Sequence, residues 1–300
     1  MNFRTILQDG KTLDEIESRG LRVRVAREGA EMVSLALNGT GFLHRDGDLS
    51  KPASGWANHA TVMGYFLHRL WKEQSVYRGS IIRGGTHGFL RHFDFAEPER
   101  LADGLAYRVS EDQVPPDAYP LKVALALSYR LTGSGVRVEF EFTNEEPALD
   151  AHVSFGLHPG FAVGSVGEAR LIFPAGKYVR HMAPGNFLDG VTEAKDFSGG
   201  EFPYPKAGLP GSFILGIEEL ENKTFRLEDP RRGTAVTLDF SDVPYVTFWS
   251  DSDNFICIEP CWGLPDSNPP AAFEKKAGIQ VIPPGGTLKR GFSIQPSILT

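Results

Sequence analysis

The stretch Leu121-Lys122-Val123-Ala124-Leu125-Ala126-Leu127-Ser128-Tyr129-Arg130-Leu131, then Thr132-Gly133-Ser134-Gly135, then Val136-Arg137-Val138-Glu139-Phe140-Glu141-Phe142, decides the fold class. Apolar side chains fall on every second position on both sides of a glycine-containing connection. In an extended chain successive side chains point to opposite faces, so each run reads as a strand with one buried face. The pair is a long β-hairpin.

Outward from this hairpin the same period recurs at residues 21–25, 153–157, 234–240, 245–249, 255–259 and 288–294. Helical spacing is scarce. Residues 12–18 and 62–71 are expected to form short helices, the second with Val62, Phe66 and Leu70 on one face. Glycine (33) and proline (21) are abundant, which favours many turns. These features predict an all-β sandwich in a single domain over residues 1–300. Residues 44–53 and the glycine- and proline-rich segment 199–211 read as surface loops.

A formal net charge of −7 and the absence of any basic run argue against a nucleic-acid partner. No run approaches 18 apolar residues and the first twenty lack a signal-like apolar core, so a cytoplasmic location with no membrane partner is expected. Two cysteines, Cys257 and Cys261, cannot furnish a four-ligand zinc site and read as reduced thiols. The sequons at Asn38 and Asn222 then carry no glycan.

Four stretches carry chemistry: His87-Gly88-Phe89-Leu90-Arg91, Gly156-Leu157-His158-Pro159-Gly160-Phe161, Cys257-Ile258-Glu259-Pro260-Cys261-Trp262 with Asp266 after it, and Lys276-Ala277-Gly278-Ile279. By strand parity His158 points away from Val153, Phe155 and Leu157, and Glu259 away from Ile256 and Ile258. A carboxylate ending so apolar a strand must meet water, a cation or a ligand. The proline after each residue is expected to end sheet pairing and place both at a rim or bend. Trp249 and Trp262 are candidate platforms for the C–H face of a sugar ring.

In this order, the motifs resemble the aldose 1-epimerase (galactose mutarotase) family, in the bacterial branch with HGF-x-R, G-x-HP-x-F and CIEP stretches. The likeness spans residues 20–295. It departs at His59-Ala60-Thr61-Val62-Met63-Gly64-Tyr65, where many relatives are proline-rich, and at Cys261, where many have Trp. The resemblance implies a β-supersandwich with a carbohydrate site on the concave face of its main sheet. It implies Glu259 as general base and His158 as general acid, with His87 and Arg91 holding oxygens of an aldose; Trp249, Trp262 and Asp266 are the further candidates for binding it. No metal and no cofactor are implied, and the chain is expected as a monomer or homodimer. The mechanism calls for an ionised Glu259 beside a cationic His158.

Three other readings compete. A hexose-6-phosphate 1-epimerase would use Arg69, Lys72, Arg78 and Arg83 to hold phosphate. A non-catalytic carbohydrate-binding module would keep the aromatic wall. A metal enzyme built on His87, His92 and His158 lacks ligand spacing.

Overall fold

The hairpin forms as read. The computed structural model describes residues 1–204 and 212–299. In it Val123–Leu131 pairs antiparallel with Val136–Asn144, Leu131 opposite Val136. Both strands lie in a nine-stranded sheet that also contains Gly104–Val109, Thr224–Asp229, Thr234–Asp239 and Thr287–Ile298.

A seven-stranded sheet stacks on it, in the order Thr192–Phe197, Gly176–His181, Phe213–Gly216, Tyr245–Trp249, Phe255–Trp262, Phe155–Ala162 and Ala60–Met63. The inward faces of the two sheets form the core, as a sandwich requires. Phe140 and Phe142 of the first meet Phe155 of the second at ring distances of 5.1 and 4.7 Å. A five-stranded sheet, Asn2–Gln8, Lys11–Ser18, Leu21–Ala26, Met32–Leu37 and Thr40–Gly41, runs in chain order at the N-terminal end.

Neither expected helix exists, and among the described residues every helical element is a three-residue 3-10 turn. Residues 12–18 belong to the strand Lys11–Ser18. Leu13 and Ile16 are both buried, on opposite faces, and between them Asp14 and Glu15 are buried too. Charge at buried positions disguised the period of two. Residues 62–71 begin as the strand Ala60–Met63, pass through an irregular segment and reach a turn at Trp71–Glu73. Val62, Phe66 and Leu70 are buried without sharing a helical face. The 44–53 segment is a loop. Part of the 199–211 loop, residues 205–211, lies outside the described residues. No described helix is long and apolar enough to cross a membrane.

Candidate active site

Two neighbouring strands of the seven-stranded sheet supply the chemistry: Phe155–Ala162, the histidine strand, and Phe255–Trp262, the glutamate strand. Their antiparallel ladder matches Gly156 with Cys261 and Gly160 with Cys257, and has no bridge between these. The same register sets His158 directly across from Glu259. Pro159 and Pro260 lie within this gap, and neither has an N–H to donate. Each still pairs on its outer side, Pro159 with Ala60 and Pro260 with Val246. The prolines therefore do not end the strands, and His158 and Glu259 sit mid-strand rather than at a rim. The ladder is opened at one point, and there His158 Nε2 lies 3.3 Å from Glu259 Oε1.

The pair lies deep in a cavity of about 310 Å³ on the face away from the nine-stranded sheet. Trp56 and Trp249 form an apolar wall, and Asn58, Thr61, His68, Arg69, Thr86, His87, Arg91 and Asn186 supply polar groups. The Trp56 ring leans on His158 at 4.9 Å and meets Trp249 edge-on at 5.9 Å. Gly160 makes this approach possible, because a Cβ there would stand 2.5 Å from the Trp56 ring.

His87 is a hydrogen-bond donor by construction. Its Nδ1 accepts the backbone N–H of His68 at 3.1 Å. Burial, with His158, His68, Arg91 and Arg69 nearby, holds its pKa well below 6.5. The neutral ring must then carry its proton on Nε2. The loop that delivers it turns through Gly88, at φ +74°, where a Cβ would collide with the Gly64 carbonyl. Arg91 is half-buried; its NH1 donates to the Thr86 carbonyl at 3.4 Å, and its Nε is buried without a partner among the described residues. Such a guanidinium is free to hold oxygens of a ligand.

Burial dominates the central pair. It raises Glu259 well above the usual carboxylate range and lowers His158 to about 3, with the proximity of His68 adding to the latter. Both shifts disfavour the charged form of the group concerned. This direction runs against the expected carboxylate–imidazolium pair, because water that would stabilise two charges is excluded. Glu259 Oε2 is buried and has no hydrogen-bond partner among the described residues.

Five of the seven expected site residues, His87, Arg91, His158, Trp249 and Glu259, converge on the cavity. Trp262 does not. It lies on the opposite face of the glutamate strand, stacked on Phe155 at 5.1 Å, its Nε1 donating to the Asp242 carbonyl at 2.8 Å. Asp266 does not line the cavity either. It is fully buried, accepts the Trp71 N–H at 2.9 Å and pairs with Lys276 at 3.4 Å, bracing the segment that carries His68 and Arg69. His92 is exposed and does not join His87 and His158. Sequence reading missed Trp56, Asn58, Thr61, His68 and Asn186. An aromatic residue in the otherwise polar 44–58 segment was the only available signal. It also missed a buried cluster of possible metal ligands, His68, Glu259 and Cys261, which spacing along the chain does not reveal.

Comparison with known proteins bears on this geometry. The family model for aldose 1-epimerase matches residues 83–295. Protein LacX (chromosomal) of Lactococcus lactis subsp. lactis is 24% identical over 272 residues, 80% of this chain and 85% of its own. A galactose mutarotase related enzyme from Lactobacillus acidophilus superposes with a TM-score of 0.85 at 22% identity, covering 95% of this chain and 97% of that one. Galactose 1-epimerase from Lactobacillus acidophilus NCFM superposes at 0.70 and 13% identity, covering 100% and 99%.

Proposed function

Because the chain belongs to the aldose 1-epimerase family, we propose that it interconverts the α and β anomers of an aldose, with Glu259 as base and His158 as acid. One observation carries this: a carboxyl and an imidazole 3.3 Å apart in a cavity walled by aromatic rings. The C1 hydroxyl and the ring oxygen of a pyranose are bonded to the same carbon, so so close a pair reaches both. Glu259 takes the C1 hydroxyl proton while His158 protonates the ring oxygen. The C1–O5 bond breaks, the aldehyde rotates about C1–C2, and closure on the other face returns both protons.

Opening the ring in this sense needs the carboxylate–imidazolium form. A sugar hydroxyl donating to Glu259 Oε2 supplies the bond that oxygen lacks, favouring the charged carboxylate. Closure uses the complementary form, so a pair with one mobile proton serves both halves. Each group contributes about 10² to 10⁴-fold, enough for a reaction that runs slowly in water and needs only proton transfer. His87 Nε2–H and Arg91 hold sugar oxygens, and Trp56 and Trp249 cover the C–H face. The two free, buried cysteines support a reducing, cytoplasmic setting.

A second reading has its own support. Arg69 lines both the cavity and an adjoining recess of about 230 Å³ that includes Lys72, Gly84 and Gly85. Two cations beside glycine backbone suit a 6-phosphate, although Glu73 lines the same recess and offsets part of their charge. Arg78 and Arg83 do not line it.

Polarimetry on freshly dissolved anomers of neutral hexoses and their 6-phosphates, with a strong chelator present, tests the reading. Accelerated equilibration is expected, undiminished by the chelator. A more than tenfold preference for a phosphate, about 1.4 kcal/mol, selects the second reading. Tight sugar binding with no acceleration overturns both in favour of a binding module.

A further inference from the structure

Below the sugar-facing surface lies a cluster that proton transfer uses only in part. One ring nitrogen of His68, one carboxylate oxygen of Glu259 and Sγ of Cys261 lie within 4.8 Å of one another, and all three residues are buried. Glu259 and Cys261 are two positions apart on one strand, so both project from the same face. His68 reaches them from the irregular segment after Ala60–Met63. The segment is braced from behind by the Asp266–Lys276 pair.

These donors are poorly satisfied. His68 Nε2 and Glu259 Oε2 are buried with no hydrogen-bond partner among the described residues. The Cys261 thiol has only long contacts, 3.5 Å to the Glu259 carbonyl and 3.8 Å to Thr247 Oγ1. Unpaired buried polar groups are costly, and a sugar hydroxyl at Oε2 would leave His68 and Cys261 as they are. A nitrogen–oxygen–sulfur set suits zinc and similar borderline ions rather than magnesium or calcium.

We propose that His68, Glu259 and Cys261 form a zinc-binding site whose occupation switches the catalytic pair off. Tetrahedral zinc holds such donors about 3.5 Å apart, a spacing that donors lying within 4.8 Å of one another can reach by small side-chain movements. The ion takes the imidazole lone pair, the carboxylate and the thiolate, leaving one position for water. The thiol proton, and any proton that Glu259 carries, pass to solvent. A ligated Glu259 cannot accept the C1 hydroxyl proton. This consequence for activity rests on the mutarotase reading; the site itself does not.

Cobalt(II) titrated into chelator-treated protein tests the site without reference to activity. One equivalent should bind with intense visible bands and a near-ultraviolet thiolate-to-cobalt charge-transfer band. Zinc should displace it, slow anomer exchange at least tenfold, and be reversed by chelator. Cys261→Ser should lose the charge-transfer band and require at least tenfold more zinc for the same inhibition, while Cys257→Ser keeps both. Cobalt binding without a thiolate band overturns the proposal, as does equal zinc inhibition of Cys261→Ser and wild type. If Cys261→Ser fails to fold, the wild-type spectrum decides alone. A protein inert towards every sugar defeats the functional reading and leaves the cobalt spectrum to judge the site.

Discussion

Glu15 and Glu259 are the same residue type, both mid-strand and both nearly inaccessible, at 2% and 1% exposure. Their surroundings differ. Glu15 in the five-stranded sheet accepts from Arg4 Nε at 2.5 Å and Arg24 Nε at 2.6 Å. Burial pushes its pKa up, but the two arginine hydrogen bonds outweigh this and bring it below the usual value. Beside it Asp14 takes two bonds from Arg27, at 2.9 and 3.0 Å, and one from Thr5 at 2.7 Å. Glu259 has one histidine at 3.3 Å and an oxygen with none, and its pKa moves up. Burial is therefore not what distinguishes a site. Saturated buried charge holds strands together, whereas unsaturated buried charge awaits a ligand.

The largest test of this contrast removes one charge in each region. Glu259→Gln keeps the shape and removes the base, and His158→Asn removes the acid. Each should lose at least about 10²-fold in turnover by polarimetry, with sugar affinity by calorimetry falling far less. Full activity in Glu259→Gln would show that its strained environment is incidental. Glu15→Gln should do the reverse. It leaves two arginines short of a buried partner and should cost about 2 kcal/mol by urea denaturation, with turnover per folded molecule unchanged.

Titration sharpens the contrast further. His68 and His158 are lowered to about 3 and His87 well below 6.5, all chiefly by burial. The unfolded chain takes up these protons near pH 6.5 and the folded chain does not, so their stabilisation is present above 6.5 and is lost as pH falls towards about 3. Glu259, raised, runs the other way: its contribution is complete below about 4.5 and fades as pH rises through its folded pKa. Each histidine is worth up to about 1.4 kcal/mol per pH unit inside its window. Thermal melts of His68→Gln between pH 7 and 5 should show a shallower fall than wild type; an identical slope would place His68 in water.

The smallest expected effect separates the two tryptophans. Trp249→Phe should weaken sugar binding a few-fold, because the ring wall is thinned but retained. Trp262→Phe should leave affinity unchanged and lower the melting temperature, since it thins the core and abandons the bond to the Asp242 carbonyl.

The error over Trp262 is instructive because the needed information was local. Residues 259 and 262 differ by an odd number, so one strand running through both must show them on opposite faces. Expecting Pro260 to end the strand concealed this. Parity did orient His158 correctly, and the hairpin register followed from its loop. The helical readings of 12–18 and 62–71 failed because buried ion pairs and irregular backbone both imitate wider spacing. Trp56 and His68 lie on segments with no period, so nothing in the chain announced their direction.

Local alternation settled the central hairpin and the strands that carry His158 and Glu259, and which way those two side chains point within them. Side-chain direction in a strand depends only on adjacent peptide units, so it is written along the chain. Tertiary structure alone decided that the two prolines open the ladder at one place, with His158 across from Glu259. It decided that arginines saturate Glu15 while Oε2 of Glu259 is left bare, and that His68 and Cys261 gather beside that oxygen. Register, desolvation and hydrogen-bond supply are set by groups remote in sequence, and those determine which buried charged groups are left for a ligand.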